Sequence, residues 1–255
     1  MKGHEITLIG SGNVAFHLGR AFLRAGIGVD AVCSRTHAHA AALAAELGSR
    51  VLVAPGDISD RGIVLIAATD DAIAPIAEGL ALREALLLHT SGSVPMEVLA
   101  RGAAHYGVLY PLQTFSKDRP VNLREVPLLL EASGPEEWAK LKSLAAAISG
   151  DLREVNSAER HKYHLAAVMA NNFVNHLLAM AAEFLEKEDL DFDVLYPLIR
   201  ETVDKAIAMG PGAAQTGPAR RGDEKTMERH RAMIRDPLLE TLYRLLSEHI
   251  RSHYR

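Results

Sequence analysis

The sequence predicts an α/β protein: an N-terminal, doubly wound parallel sheet of the Rossmann type, followed by an all-α C-terminal domain. Three observations carry this. Short apolar runs alternate with helical patterns as far as Val155, the order that builds a parallel sheet with helices on both faces. The first run ends in a glycine-rich turn that opens a helix, the strand-turn-helix context of a phosphate-binding loop. From Ser157 onward the pattern is helical almost to the end.

Ile6 to Ile9 is the first strand and Val14 to Arg24 the first helix. Val29 to Cys33 is a second strand, and the alanine-rich Ala38 to Leu47 a second helix. Val51 to Val53 is a short run. Ile63 to Ala68 is apolar throughout, as a strand buried on both faces must be. Ile73 to Leu82 reads as a helix, Leu86 to His89 as a strand, and Val94 to Ala100 as a helix with Pro95 near its start. Tyr106 to Tyr110, Val126 to Leu130 and Asp151 to Val155 are the remaining strands. The helical half comprises Ala158 to Lys187, Val194 to Met209, Glu224 to Ile234 and Leu238 to His253, with breaks at Pro211, Gly212, Gly217 and Pro218. The expected domains are residues 1–155 and 156–255.

Composition bounds the function. The chain has 255 residues, a net charge of −4 and 24% charged residues. That is an ordinary globular balance, with no basic excess to suit nucleic acid. Cys33 is the single cysteine, so an internal disulfide framework and a zinc-thiolate cluster are excluded. The lead-in Met1-Lys2-Gly3-His4-Glu5 meets an apolar run too short for a signal peptide or membrane span. The expected compartment is the cytoplasm, with no membrane partner. No His/Asp/Glu spacing argues for a catalytic metal.

Gly10-Ser11-Gly12-Asn13-Val14-Ala15 is a G-x-G-x-x-A sequence. Gly10 allows the tight turn, Gly12 lets backbone approach a pyrophosphate, and Ala15 lets helix and strand pack closely. Free backbone N–H groups and the helix dipole favour a phosphate there. The alternative is a structural glycine turn. The residues after the second strand choose the dinucleotide. An NAD site usually has an acid there, whereas this chain has Cys33-Ser34-Arg35-Thr36. Arg35 can pair with a 2′-phosphate, and Ser34 and Thr36 can hydrogen-bond it. Asp30 has the nominal spacing of a ribose acid but falls at the strand's beginning. NADP(H) is therefore the expected cofactor. Ala68, Thr69 and Asp70 follow the fourth strand and suit contact with the same cofactor; capping of the next helix by Thr69 or Asp70 is an equal and compatible reading.

Gly10 to Ala15, Ser34-Arg35, Thr69-Asp70-Asp71 and His89-Thr90-Ser91-Gly92-Ser93 together resemble the N-terminal domains of pyrroline-5-carboxylate reductases and deazaflavin-dependent NADP oxidoreductases. A closer resemblance covers nearly the whole chain. It is to a family of Rossmann-like oxidoreductases whose helical C-terminal domain has no assigned function. Gly107 to Phe115, Ala170-Asn171-Asn172-Phe173 and Thr216 to Asp223 carry it. The helical half resembles, more distantly, the C-terminal domains of 6-phosphogluconate and 3-hydroxyacid dehydrogenases. Those domains supply catalytic residues and usually a dimer interface, which implies a homodimer here through the C-terminal helices.

Reduction of a carbonyl or imine needs a proton donor and groups that hold the substrate. In a doubly wound fold these gather beyond the carboxyl ends of the strands. His89 ends a strand there, as a candidate catalytic group. Ser91 and Gly92 could touch cofactor and substrate, or Ser91 could cap the next helix. On the first long C-terminal helix, His164, Asn171 and Asn175 fall near one face if the period is α-helical throughout. They would meet a substrate or form a core network between helices. The related 3-hydroxyacid dehydrogenases carry a lysine four residues before an asparagine on this helix. Lys162 does not match, and His164 is the substitute proton donor, since imidazole titrates near neutrality. Arg220 and Arg221 could clamp a substrate carboxylate, or simply belong to a Gly-Pro turn whose Asp223 caps the next helix. The expected activity is NADPH-dependent reduction of a small anionic carbonyl or imine compound. A non-catalytic NADP sensor is the alternative. A deazaflavin transhydrogenase fits less well, because the helical half is long for it.

Overall fold

Strand β1 (Ile6–Ile9) is buried at every position, and so is β4 (Ile63–Ile66) beside it. Such runs carry little polar side-chain surface for water to solvate, so they settle where helices cover both faces. The computed structural model describes residues 5–254; the lead-in Met1–His4 lies outside that range. With β2 (Val29–Cys33), β3 (Arg50–Leu52), β5 (Leu82–His89), β6 (Ala103–Pro111), β7 (Leu128–Ala132) and β8 (Leu152–Glu154), the strands form one sheet in the order β3-β2-β1-β4-β5-β6-β7-β8. Strands β1 to β6 are mutually parallel.

The sheet departs from full parallelism at one place. β7 runs antiparallel to β6, and β8 is parallel to β7. The reason is the connection: residues 112–127 hold no crossover helix, only a 3₁₀ turn at Leu123–Glu125, and a parallel return would need one.

Helix α1 (Asn13–Arg24) follows β1, α2 (His37–Leu47) follows β2, and α3 (Asp70–Glu78) follows β4. α3 stops at Gly79, and Leu82 belongs to β5 rather than to the helix expected to reach it. The expected helix at Val94–Ala100 is a 3₁₀ turn, Met96–Arg101. Pro95 is held extended in front of it, and behind it the backbone crowds α3: a Cβ on Gly102 would sit 1.9 Å from the Ala77 carbonyl oxygen. A further helix, α4 (Pro135–Ile148), is absent from the sequence expectations. Its Pro135 start, its Glu136 and Glu137 in the first turn, and its buried Leu141, Leu144, Ala145 and Ile148 are nonetheless a legible amphipathic pattern.

Helix α5 (Ser157–Ala167) begins with a capping box: the Asn156 side chain accepts from the Glu159 N–H, and Glu159 accepts from the Asn156 N–H. A π-helical turn, Val168–Phe173, separates it from α6 (Val174–Glu186). The chain divides into two compact units, one ending at Asn172 and the other spanning Phe173–Arg255. The division comes after α5 because that helix is tied to the sheet. Arg160, only 1% exposed, pairs with Glu131 of β7 and donates to the Val94 carbonyl at 2.6 Å. Glu131 also accepts from the Ser157 N–H at 2.8 Å and the Ser157 hydroxyl at 2.7 Å.

The second unit continues with α7 (Tyr196–Met209), two short turns at Pro211–Ala214 and Pro218–Arg221, a helix at Glu224–Met233 and a last one at Pro237–His253. Asp223 caps the Glu224–Met233 helix, accepting from the Thr226 N–H at 3.1 Å.

Candidate active site

The glycine turn after β1 opens a cleft of about 630 Å³. Gly10, Ser11, Gly12, Asn13, Val14, Ser34, Arg35, Thr36, Ala68 and Thr69 all line it. Ala15 does not; it is fully buried beneath the loop, packed in the core. Gly10 adopts φ +118°, and a Cβ there would meet the Ala67 carbonyl oxygen at 2.1 Å, so the close approach of the turn to the end of β4 admits only glycine. Gly12 is different. Nothing lies within 4 Å of its notional Cβ, so no neighbour in the chain demands glycine there, and its backbone stands open to the cleft that it lines. It is also the N-cap of α1 and provides no side-chain cap. The first N–H groups of that helix therefore face the cleft with the positive end of the dipole.

The residues present fit a phosphorylated dinucleotide. Ser11 and Ser34 hydroxyls meet at 2.9 Å across the turn. Arg35 is exposed and forms no ion pair among the described residues. Asp30, the acid that could have argued for an unphosphorylated ribose, is committed to Arg50 at 2.8 Å. Cys33 ends β2, with burial first and Asp57 second pushing its thiol pKa up, which keeps it uncharged beside the phosphate site. Several lining groups escape sequence reasoning. His39 shares the cleft wall with Arg35, and Val53 and Ile76 supply apolar surface suited to a flat ring. His39 passes unnoticed in the sequence, because nothing local shows that the first turn of α2 faces the cleft.

The cleft reaches Thr90, and the segment beyond it carries the catalytic candidates. His89 is fully buried. Its Nδ1 accepts from the Ser91 N–H at 3.1 Å. Burial first, and the nearby Arg160 charge second, pull its pKa down to about 3. The ring is thus neutral and closed off, and it orders the turn after β5. Ser91 is buried, and its hydroxyl accepts from the Ser93 and Val94 N–H groups at 3.1 and 3.0 Å, so it orders the turn ahead of Pro95 and does not cap the element that follows, whose N-cap is Pro95. Thr69 stands at the N-cap of α3 without a side-chain cap bond, which leaves its hydroxyl to the cleft. Asp70 is exposed and accepts a hydrogen bond from the Ser93 hydroxyl.

Two aromatic side chains meet above this turn. The Tyr110 hydroxyl and His164 Nδ1 are 3.0 Å apart. Gly92 lies against both: a Cβ there would come within 2.7 Å of His164 Cγ and Nδ1 and 2.8 Å of Tyr110 Cζ. Arg160 sets this up, since it is buried one helical turn before His164 and residues four apart share a face.

Asn171 is not brought to this pair. It is exposed, and its one side-chain hydrogen bond is a 3.5 Å contact to Asn172. The shared face with His164 assumed an unbroken α-helix. The π turn at Val168–Phe173 places more residues in its turn than the 3.6 of an α-helix and rotates the residues after it. Asn175, Arg220 and Arg221 belong to the second unit. Asn175 is exposed there. Arg220 is spent on its own loop, donating to the Gln215 carbonyl at 2.6 Å and lying over the Tyr254 ring at 5.4 Å. Arg221 is exposed. No group of three or more His, Cys, Asp or Glu side chains could hold a metal among the described residues.

A mostly parallel sheet with a glycine turn, open helix amides and an arginine beyond the second strand defines a dinucleotide-binding protein. Comparison with known proteins agrees. Residues 5–91 match the family described as NADP oxidoreductase, coenzyme F420-dependent, and residues 126–250 match a domain family of unknown function, DUF2520. The chain is 41% identical to a "putative NADP oxidoreductase" of Bacteroides fragilis, over 98% of both chains, with a TM-score of 0.92. The chain belongs to that family of NADP-dependent oxidoreductases, and NADP(H) is its cofactor. A protein of Thermotoga maritima shares the fold at 23% identity over 98% of both chains (TM-score 0.74). So does a reductive aminase of Aspergillus terreus, solved with NADPH and ethyl levulinate, at 18% identity over 98% of this chain and 95% of that one (TM-score 0.74). No curated protein matches the chain.

Proposed function

We propose that the protein reduces a small carbonyl or imine compound with NADPH. The observation that carries this reading is a hydrogen-bonded Tyr110–His164 pair close in the chain to the cleft: Thr90 lines the dinucleotide cleft, and Gly92, two residues on, abuts Tyr110 and His164. Bound in the cleft, NADPH supplies the hydride. The α1 amides hold its pyrophosphate, and Arg35 with Ser34, Thr36 and His39 holds the 2′-phosphate. His164 brings an imidazole nitrogen to 3.0 Å from the Tyr110 hydroxyl. His89, neutral and enclosed, fixes the turn that bears Ser91 and Gly92 rather than giving up a proton. The solved reductive aminase, with a keto ester beside NADPH, lends the substrate class some support through its shared fold.

Of the arginine pair, Arg221 is the one we retain as a candidate anion contact of the second unit, because Arg220 is engaged within its loop. Asn171 and Asn175 remain candidate substrate contacts on the helical run. Transfer to a deazaflavin is not our reading, given the length of the helical half. The setting in this reading is the cytoplasm.

We also propose that the second unit pairs with a second copy of the chain. From Phe173 onward, the only buried apolar residues among those described are Ala219 and Met227, while Val194, Leu198, Ile207 and Leu238 are each more than 60% exposed. An apolar hollow of about 660 Å³, lined by Leu177, Phe184, Leu190 and Ile234 among others, lies in the same unit. The run Ser157–Glu186 is long and apolar enough to cross a membrane. However, Asn171, Asn172, Asn175 and His176 in its middle would be stranded in hydrocarbon, whereas a protein partner can pair them.

The test is NADPH oxidation against a panel of 2-oxo acids and cyclic imines, alongside thermal shifts with NADPH and NADH. Turnover of at least one class, with stabilisation by NADPH well above that by NADH, is expected. Stabilisation by NADPH without turnover of any member would refute the reductase and leave a dinucleotide sensor.

A further inference from the structure

We infer that Tyr110 is the group that protonates the substrate heteroatom, with His164 as the relay behind it, an assignment that rests on the reductase function proposed above. Tyr110 stands at the carboxyl end of β6, the edge where ligands of doubly wound sheets bind.

The other hydroxyls and imidazoles of the β5 turn at that edge are already engaged or unsuited. His89 is enclosed: Nδ1 is occupied by the Ser91 N–H, and Nε2, which has no partner, is sealed from solvent, so the ring has no route by which to regain a proton. The Ser91 hydroxyl accepts two backbone N–H groups. The Ser93 hydroxyl is bound to Asp70. Thr90 donates only a long 3.4 Å bond to the Ile66 carbonyl, but an aliphatic hydroxyl is a far weaker acid than a phenol, and no imidazole is bonded to it among the described residues. Tyr110 and His164 are both half-buried, and their mutual bond is the only side-chain hydrogen bond either makes among the described residues. Each therefore has capacity left for another partner. Their rings meet edge to face at 5.9 Å, and Gly92 lets the main chain leaving the cleft run directly against both. Burial first, then the Asp70 charge, raises the Tyr110 pKa against the opposing pull of Arg160, so the phenol holds its proton at neutral pH.

As hydride from the reduced dinucleotide forms the new C–H bond, the electron pair released from the C=O or C=N bond takes the proton of the Tyr110 hydroxyl. The phenolate oxygen takes a proton from the Nδ1–H of a protonated His164. His164 regains it from solvent. The substrate gains one hydride and one proton, and the dinucleotide is oxidised.

Pyruvate and 1-pyrroline serve as probes, with NADPH. Tyr110→Phe should lower kcat about 100-fold or more, the usual scale for a lost general acid, while the Kd for NADPH changes by less than about two-fold. His164→Ala should also lower kcat, and added imidazole should restore part of it, which loss of a merely structural ring would not allow. Independently of turnover, ¹⁵N NMR of the imidazoles should show the His164 Nδ1 signal displaced in Tyr110→Phe and the other histidines unmoved. Tyr110→Phe with near-wild-type kcat, an unmoved His164 signal, or His164→Ala that imidazole does not rescue would overturn the relay and leave the reductase standing. If Tyr110→Phe fails to fold, imidazole rescue of His164→Ala decides alone. Wild-type protein that binds NADPH and reduces neither probe nor any other member of the panel would overturn the reductase reading, and this inference with it.

Discussion

Gly10 and Gly12 stand two positions apart and answer to different constraints. An alanine at Gly10 would drive its Cβ to 2.1 Å from the Ala67 oxygen at φ +118°. Gly10→Ala should therefore destabilise the fold by about 4 kcal/mol or more, in the range reserved for severe backbone strain, and thermal unfolding reads it. An alanine at Gly12 meets nothing. Gly12→Ala should unfold like the wild type yet lose NADPH affinity, because its methyl enters the ligand's space. Arg35→Ala should raise the Kd for NADPH about 10–100-fold, the worth of one charge-assisted contact of about 1.5–3 kcal/mol, and leave NADH nearly unchanged. Equal losses for both would show that Arg35 does not read the extra phosphate. His89 gives a pH signature. Its pKa falls from 6.5 unfolded to about 3 folded, so its contribution is intact above pH 6.5 and is lost as pH drops towards 3, where only the unfolded chain takes the proton. Around pH 5 that adds about 1.4 kcal/mol of lost stability per pH unit. His89→Asn, whose Oδ1 can keep the Ser91 N–H bond, should show a correspondingly flatter acid limb in urea unfolding.

At the scale of elements, the features legible in the sequence were local ones. The phosphate loop, Ser34 to Thr36, and the cap by Asp223 each lie within a few consecutive residues, so their chemistry can be read without knowing the fold. The Tyr110–His164 pair joins residues 54 positions apart, and no periodicity announces it. Nor does anything local reveal that α5 is anchored by Glu131, three elements earlier. The π turn defeats the face assignment of Asn171 because helical periodicity presumes a constant twist. The antiparallel β7 escapes because strand direction is set by the connection, not by the strand. The Glu131 anchor carries its own prediction. Glu131→Gln leaves Arg160, 1% exposed, with an unpaired buried charge, and should cost about 3–5 kcal/mol in urea unfolding. It should also loosen the start of α5, and with it His164, so kcat should fall more than NADPH affinity. A loss of NADPH affinity as large as that of kcat would place the damage in the dinucleotide cleft instead.

At the scale of the whole molecule, the two units differ in what they bury. The sheet unit holds almost the entire apolar core, from Ile6 to Val155. The unit from Phe173 exposes apolar side chains that a chain alone in water has no reason to keep, because exposed patches of this extent mark interaction surfaces. On α7, Tyr196, Val203 and Ile207 recur at seven and four residues and are all exposed, so they form one stripe on one face. A symmetric dimer would bury such a stripe twice, once in each copy. Charges placed in it oppose that burial without touching the sheet or the cleft. Val203→Asp combined with Ile207→Asp should therefore shift the protein from dimer to monomer in sedimentation equilibrium. The thermal shift produced by NADPH should survive, since the cleft is lined wholly by residues before Thr90 and by Thr90 itself. A wild-type protein that sediments as a monomer at micromolar concentration would remove the second copy as the cover for this face, and the Asn171–His176 stretch would then need a partner of another kind.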